Sequence, residues 1–391
     1  MKKTARRAIV ICCIIVGVFA ALFFAAGWFF STILYQKALD PQRSGPANNV
    51  RILAIDAQSA VLEKLQTAGN QYRRAGAFEL SWSGGVGRVT DVLESDDLRA
   101  KRSFSLLEGN LPPTGTEAIV SSFIGPRESY PIPELPAEKV VISSELGSFD
   151  AYRTPGSGRT WVILVHGNGM RVAEVRRMAG SFLSLGHPTL AITYRNDPGQ
   201  PRDPSGILQY GLTEWKELEG AVGYALEQGS DGVVIFGLSM GGGIALSFMY
   251  QSALANRVKG LILDSPMTDF AKAVDINATK ERLPMIGLPV PQALVNAAKL
   301  ISGIRFGVSW SRMNYLTKMD RLTAPILLFH GTGDTVVPVS TSDELAAGRK
   351  DLLFAYMRSE GVEHCESWNF DRETYKRHLR RFMDFVTGWI D

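Results

Sequence analysis

The sequence predicts an α/β protein: a parallel sheet covered by helices on both faces, preceded by one membrane-spanning helix and a β-rich region. Three observations carry this expectation. Past Lys139, short apolar, β-branched runs alternate with amphipathic stretches of helical period. Between Val50 and Glu128, strand-like runs are broken by glycine turns. Ahead of both, no charged residue occurs from Ala8 to Gln36.

The apolar stretch Ala8 to Phe30 would span roughly 35 Å as a helix, enough to cross a bilayer core. This divides the start into a tail (1–7), a span (8–35) and a polar, turn-rich linker (36–49). Lys2, Lys3, Arg6 and Arg7 outnumber Lys37 and Arg43 on the far side, which places the N-terminus in the cytoplasm and the body outside. Trp28 and Tyr35 then fall in the outer interfacial belt. A cleaved signal peptide is the alternative, although its apolar region is usually about 7–15 residues long. The formal charge of +3 comes from this segment: the four basic residues of the tail leave 38 basic against 39 acidic in the rest. A near-neutral body gives no reason to expect a nucleic-acid partner. Cys12 and Cys13 lie within the span, so Cys365 is alone in the body, which excludes an internal disulfide or a cysteine zinc site there.

Residues 50–138 read as a β-rich accessory region. "RILAIDAQSAVLEKLQTAG" suggests a strand leading into a short helix, and "GAFELSWSGGVGRVTDVLE" and "TEAIVSSFIG" suggest strands. "GPRESYPIPELPAE", with four prolines, marks the boundary. From 139 to 391 the strands are "TWVILVHG", "HPTLAITY", "GVVIFGLS", "VKGLILDS", "APILLFHG" and "DLLFAYMR". Helical stretches such as "RVAEVRRMAGSFLSLG" and "TEWKELEGAVGYALEQG" separate them. Fully apolar strands alternating with helices form parallel sheets buried on both faces. No strand is followed by a dinucleotide or P-loop glycine pattern, so nucleotide binding loses its main support.

The chemistry centres on Gly237-Leu238-Ser239-Met240-Gly241, a G-x-S-x-G pattern at a strand-to-helix junction. Such a turn presents a serine hydroxyl beside the positive end of a helix. The hydroxyl needs a base, and there are five histidines. His166, His187 and His330 sit at strand ends and suit packing or turn-shaping roles, and His378 suits a solvated face of the charged last helix. His364, in the loop "SEGVEHCES", remains as the base. In the chain order Ser…Asp…His, Asp334 of "HGTGDTVVP" is the first choice of acid and Asp264 of "LILDSP" the alternative. Thr341 and Glu344 suit a capping box for the next helix, which frees Asp334 from that duty. The oxyanion hole would use the N–H groups of Met240 and of Asn168 in "HGNGM", each worth on the order of 3 kcal/mol in the transition state.

"HGNG", "GLSMGG", "LILDSP", "HGTGDTVVP" and "GVEH", in this order, resemble the α/β-hydrolases of the esterase and serine-peptidase-like branch over roughly Val140 to Asp391. "YRND" (194–197) and "LTEW" (212–215) resemble a bacterial, membrane-anchored subgroup. The resemblance implies an eight-stranded, mostly parallel sheet and a Ser–His–Asp mechanism without metal or cofactor. It implies acyl transfer but no particular substrate, since the fold serves many bonds. Residues 265–324 are too many for a simple connection and hold an apolar, proline-broken stretch: either a core helix over the sheet or a cap over the site. A cap would favour a small-molecule or lipid-like acyl substrate. A peptidase or amidase, or an inactive hydrolase fold that binds a partner, are the rival functions.

Overall fold

A computed structural model describes residues 2–42, 47–65, 70–122, 137–170, 172–176, 178–284 and 286–388. The chain opens with helix α1 (Lys2–Leu34), which widens into one π-helical turn at Tyr35–Leu39. From Ile9 onward its most apolar stretch is covered by none of the other described residues. The turn that follows is not a free linker. Leu39 is fully buried in the main core, and its carbonyl accepts from Leu208 N (2.9 Å).

Six antiparallel strands then close into a small barrel: β1 (Val50–Ile55), β2 (Ser59–Lys64), β3 (Phe78–Trp82), β4 (Gly85–Ser95), β5 (Arg99–Gly109) and β6 (Glu117–Ser121). Their order is β1-β2-β5-β4-β3-β6, with β6 returning to β1. The helix expected after β1 is a strand instead. Asp56 Oδ1 accepts from Gln58 N (2.8 Å) and Ser59 N (2.7 Å), and this turn folds β2 back on β1. Residues 66–69 of that stretch, and nearly all of the proline-rich boundary, lie outside the described residues. Ile52, Leu62, Phe78, Leu80 and Val120 fill the barrel. Arg102, buried with them, spends its donors on the carbonyls of Gln71 (2.9 Å), Gly76 (2.7 Å) and Thr90 (3.1 Å).

The remaining elements form the α/β layer structure. They are β7 (Glu138–Ser144), β8 (Gly147–Thr154), β9 (Thr160–Val165), α2 (Val172–Arg176), α3 (Ala179–Leu183), β10 (Thr189–Ile192) and α4 (Trp215–Glu227). After them come β11 (Gly232–Leu238), α5 (Met240–Gln251), β12 (Val258–Asp264), α6 (Phe270–Ala278) and α7 (Gln292–Phe306). The chain ends with β13 (Ile326–Gly331), α8 (Val339–Gly348), β14 (Leu353–Ser359), α9 (Ser367–Phe370) and α10 (Arg372–Thr387). The sheet order is β14-β13-β12-β11-β9-β10-β8-β7, and only β8 runs against its neighbours. All six expected strands are present, and the hairpin β7–β8 adds an edge that their pattern did not foretell.

Alternation along the strands explains the two cores. Ile163 and Val165 of β9 face one side with Val233 and Ile235 of β11, while Val162 and Leu164 face the other with Val234 and Phe236. The stretch expected as one helix after β9 is divided into α2 and α3. Helix α7, expected either as a core helix over the sheet or as a cap over the site, has α1 as its main partner, with Phe30, Leu294 and Ala298 in a cluster of their own.

Candidate active site

The chain leaves β9 for β10 on one side and returns to β11 on the other. The carboxyl ends of β9 and β11 therefore flank a crevice at the point where the strand order reverses, where α/β sheets place ligands. Ser239 stands between β11 and α5 with φ 54° and ψ −117°, a conformation that costs a non-glycine residue of order 1–3 kcal/mol. Its surroundings hold it there: Ser239 N donates to Asp264 O, and its own carbonyl accepts from Gly242 N and Met267 N, all at 2.9 Å. Glycine is required at two points of the crossing. A Cβ on Gly241 would meet Val165 O at 2.2 Å, and one on Gly167 would meet Ser239 Cβ at 2.9 Å.

His364 Nε2 lies 2.8 Å from Ser239 Oγ, and His364 Nδ1 lies 2.6 Å from Asp334 Oδ2. The other oxygen of Asp334 accepts from Val336 N and Val337 N, both at 2.8 Å, which fixes the carboxylate. Burial alone would push the Asp334 carboxyl up, but the adjoining His364 and His330 rings outweigh it and hold it well below the usual carboxylate range. Burial likewise opposes a charge on His364, yet Cys365 and Asp334 beside it raise its pKa well above the ordinary histidine value. The Cys365 thiol is itself pushed up by burial, so it stays neutral at pH 7 and Asp334 supplies the charge that matters.

Asp264, the alternative acid, has another place. Its carboxylate accepts from Tyr375 OH (3.0 Å) and Ser265 Oγ (3.2 Å), and Ser265 Oγ accepts in turn from Cys365 N (3.1 Å). It braces the loop that carries His364. His330 lies closer to the site than its strand-end position suggested: Nε2 is 3.0 Å from Asp334 Oδ2, and Nδ1 is 2.7 Å from Ser342 Oγ. The i,i+4 spacing of His330 and Asp334 across a strand end was the one available signal. His166 shapes its turn as expected, between Asp197 Oδ2 and Gly167 O (both 2.9 Å), and His187 Nδ1 faces Thr160 O. His378 is not a solvated residue: it is half-buried, edge-on to Phe329, and burial lowers its pKa. The expected capping box also fails, because α8 starts after Pro338 and Thr341 Oγ1 donates back to Pro338 O, while Glu344 pairs with Lys272.

Met240 opens α5 directly after Ser239, and Asn168 lies in the turn after β9. The Asn168 side chain donates to Tyr210 OH (2.9 Å), and that hydroxyl donates to Ala38 O (2.7 Å). Tyr210, which sequence reasoning missed, thus links the loop at the site to the residues just past α1. The "YRND" and "LTEW" residues support this arrangement. Arg195 is buried against Glu217 and Asp203, and Glu214 accepts from Gln209 N and Gly211 N on either side of Tyr210.

Ser239 and His364 open into a cavity of about 1030 Å³. One side is apolar, with Met267, Phe270, Val274 and Val295 beside Phe30 and Leu34 of α1. The other side belongs to the barrel and is polar, with Lys64, Gln71 and Arg74. The barrel is docked next to the histidine loop. Asn369 Nδ2 donates to Ala77 O and Ser122 O (both 2.7 Å), and Arg74 pairs with Glu366, whose carboxyl burial pushes up to about 7 against the pull of Arg74.

The α/β-hydrolase family model matches residues 162–377, more than half of the chain, and the protein belongs to that family. Among individual relatives, the uncharacterized protein YqkD of Bacillus subtilis (strain 168) is 26% identical over 227 residues, covering 57% of this chain and 70% of YqkD. The Pyrococcus furiosus esterase Pf2001 superposes with a TM-score of 0.52 at 19% identity, over 64% of this chain and 92% of its own. A puromycin hydrolase structure superposes with a TM-score of 0.51 at 14% identity, over 88% of this chain and 48% of its own. At these identities the two solved structures share the fold.

Proposed function

We propose that the protein is a serine hydrolase that cleaves carboxylic esters or related acyl bonds, held at a membrane by α1 with its body on the extracytoplasmic side. The division into anchor, barrel (50–138) and catalytic body (139–391) is part of this reading. Ser239 Oγ attacks the carbonyl carbon while His364 Nε2 takes its proton. Asp334 keeps the ring hydrogen on Nδ1 and stabilises the imidazolium. The N–H groups of Met240 and Asn168 receive the oxyanion. Collapse expels the alcohol with the proton from His364, and water then releases the acid by the same steps in reverse order.

The observation that supports this best is the unbroken hydrogen-bond path Ser239 Oγ–His364–Asp334 on a strained, glycine-flanked turn. The acids at the cavity favour an ester over a substrate amine. Glu366 pairs with Arg74, Glu281 with Lys37, and Glu363 accepts from Thr335 N and Oγ1. The test is labelling of the full chain by a fluorophosphonate probe, wild type beside Ser239→Ala. Labelling that disappears in the variant supports the assignment, and equal labelling of folded wild type and variant overturns it.

A further inference from the structure

The cavity does not end in water on its apolar side. Phe30, Ile33 and Leu34 of α1 and Val290, Val295 and Ala298 of the α7 region line the same space as Ser239. Helix α7 is clamped to one level of α1. The Cβ position of Gly27 lies 2.9 Å from Ile301 Cδ1, and the Arg305 guanidinium stacks over Trp28 at 3.9 Å. Arg305 also donates to Trp28 O (3.2 Å), Ser31 Oγ (2.5 Å) and Thr32 Oγ1 (2.9 Å), and Phe306 meets Tyr35 at 4.8 Å between ring centres. Counted from Ile9, residues 27–32 lie about 27–35 Å along the helix axis, which is where a bilayer core gives way to its interface.

At that level α7 turns apolar side chains away from the protein. Leu300 is 67% exposed and Ile304, one turn on, is 78% exposed. In the loop before α7, Ile286 is 66% and Leu288 58% exposed. The helix carries no acid, only Lys299 and Arg305. Large exposed aliphatic side chains grouped in this way mark a contact surface, and here the group adjoins the outer end of a helix with the length and hydropathy of a span.

We propose that α7 and the loop before it lie in the outer interface of the membrane beside α1, and that the cavity between them admits the acyl chain of a bilayer lipid ester. The chain lies along Phe30, Leu34, Val295 and Ala298, and its carbonyl reaches Ser239. The substrate half rests on the serine-hydrolase reading; the seating of α7 stands apart from it. Hydrolysis consumes one water and yields a fatty acid, which can return to the leaflet, and an alcohol.

The test uses the full chain in phosphatidylcholine vesicles with two fluorogenic esters, a long-chain umbelliferyl ester in the bilayer and umbelliferyl acetate in water. The double variant Leu300→Glu, Ile304→Glu is expected to lower the ratio of vesicle-borne to soluble turnover about tenfold or more, since two carboxylates replace interfacial aliphatic groups. An unchanged ratio overturns the proposal. Separately, Ile304→Cys in a background with Cys12→Ala and Cys13→Ala carries an environment-sensitive dye. Quenching by spin-labelled lipid supports the seating. Quenching by aqueous iodide alone, or protection that appears only on self-association, overturns it. If neither ester is turned over and Ser239 is not labelled while lipid still quenches the dye, the hydrolase reading and the substrate half fall together and the seating holds.

Discussion

Replacing Asp334 with asparagine separates the two candidate acids at almost constant shape. Asp334 Oδ1 accepts from Val336 N and Val337 N, and an asparagine oxygen can keep both bonds. The amide nitrogen then stands where Oδ2 was, facing His364 Nδ1 and His330 Nε2. Two N–H donors now meet both rings, so His364 must present a lone pair at Nδ1 and carry its hydrogen on Nε2. That hydrogen points at Ser239 Oγ, and no lone pair remains for the hydroxyl proton. Loss of the charge-assisted bond to the imidazolium is worth about 1.5–3 kcal/mol, and loss of general-base action about 10²–10⁴ in rate. The expected fall in kcat/KM is about 10³–10⁴, or about 4–5.5 kcal/mol of transition-state stabilisation. It is read from steady-state hydrolysis of a soluble ester and from the rate of fluorophosphonate labelling. Asp264→Asn is the companion: it weakens the Tyr375–Asp264–Ser265 brace and is expected to lose about tenfold or less in rate with a lower melting temperature. An Asp334→Asn enzyme within about tenfold of wild type, or an Asp264→Asn enzyme as inactive as expected for Asp334→Asn, would refute the assignment.

Acidification should switch the enzyme off. In the proposed mechanism His364 must be neutral to accept the serine proton, and its pKa stands above 6.5, so kcat/KM should rise with pH through a midpoint above that value; a midpoint below 6.5 would contradict the proposal. For stability the signs oppose each other. The raised His364 pKa contributes stability below 6.5 that is lost as pH rises through its folded value, and the depressed Asp334 pKa contributes stability above 3.8 that is lost as pH falls through its folded value. Tyr210→Phe keeps the stack on Phe270 (3.9 Å) but strands Asn168 Nδ2 and Ala38 O. It should cost about 1–3 kcal/mol and lower kcat together with the melting temperature, checked by thermal unfolding beside ester turnover.

The sheet was legible because fully apolar, β-branched runs between helical stretches have few other uses, and the serine turn because its glycines sit at a strand-to-helix junction. His364 was singled out by elimination, a route open with five histidines and closed with fifteen. Local signals misled where a competing local bond won. Asp56 folds a hairpin where a helix was expected, and Pro338 starts α8 three residues ahead of Thr341. What stayed hidden was long-range. Tyr210 and Ala38 are 172 residues apart, Arg305 and Trp28 are 277 apart, and Arg74 and Glu366 are 292 apart. No periodicity in either partner announces such a pair, so neither the barrel wall nor the α1 wall of the cavity could be read from the residues that form them.

The bond from Leu208 N to Leu39 O and the burial of Leu39 also settle how much slack the body has. A flexible segment from 36 to 49 would let it wander about 45–50 Å from the end of α1. Fastened at Ala38 and Leu39, it has almost no tether. With α1 spanning a bilayer and the body acting on esters, as proposed, a catalyst mounted this way samples two dimensions: its turnover should follow the surface density of ester in its own bilayer and be indifferent to vesicle concentration. Ester carried by a second population of vesicles should remain intact until the two membranes mix.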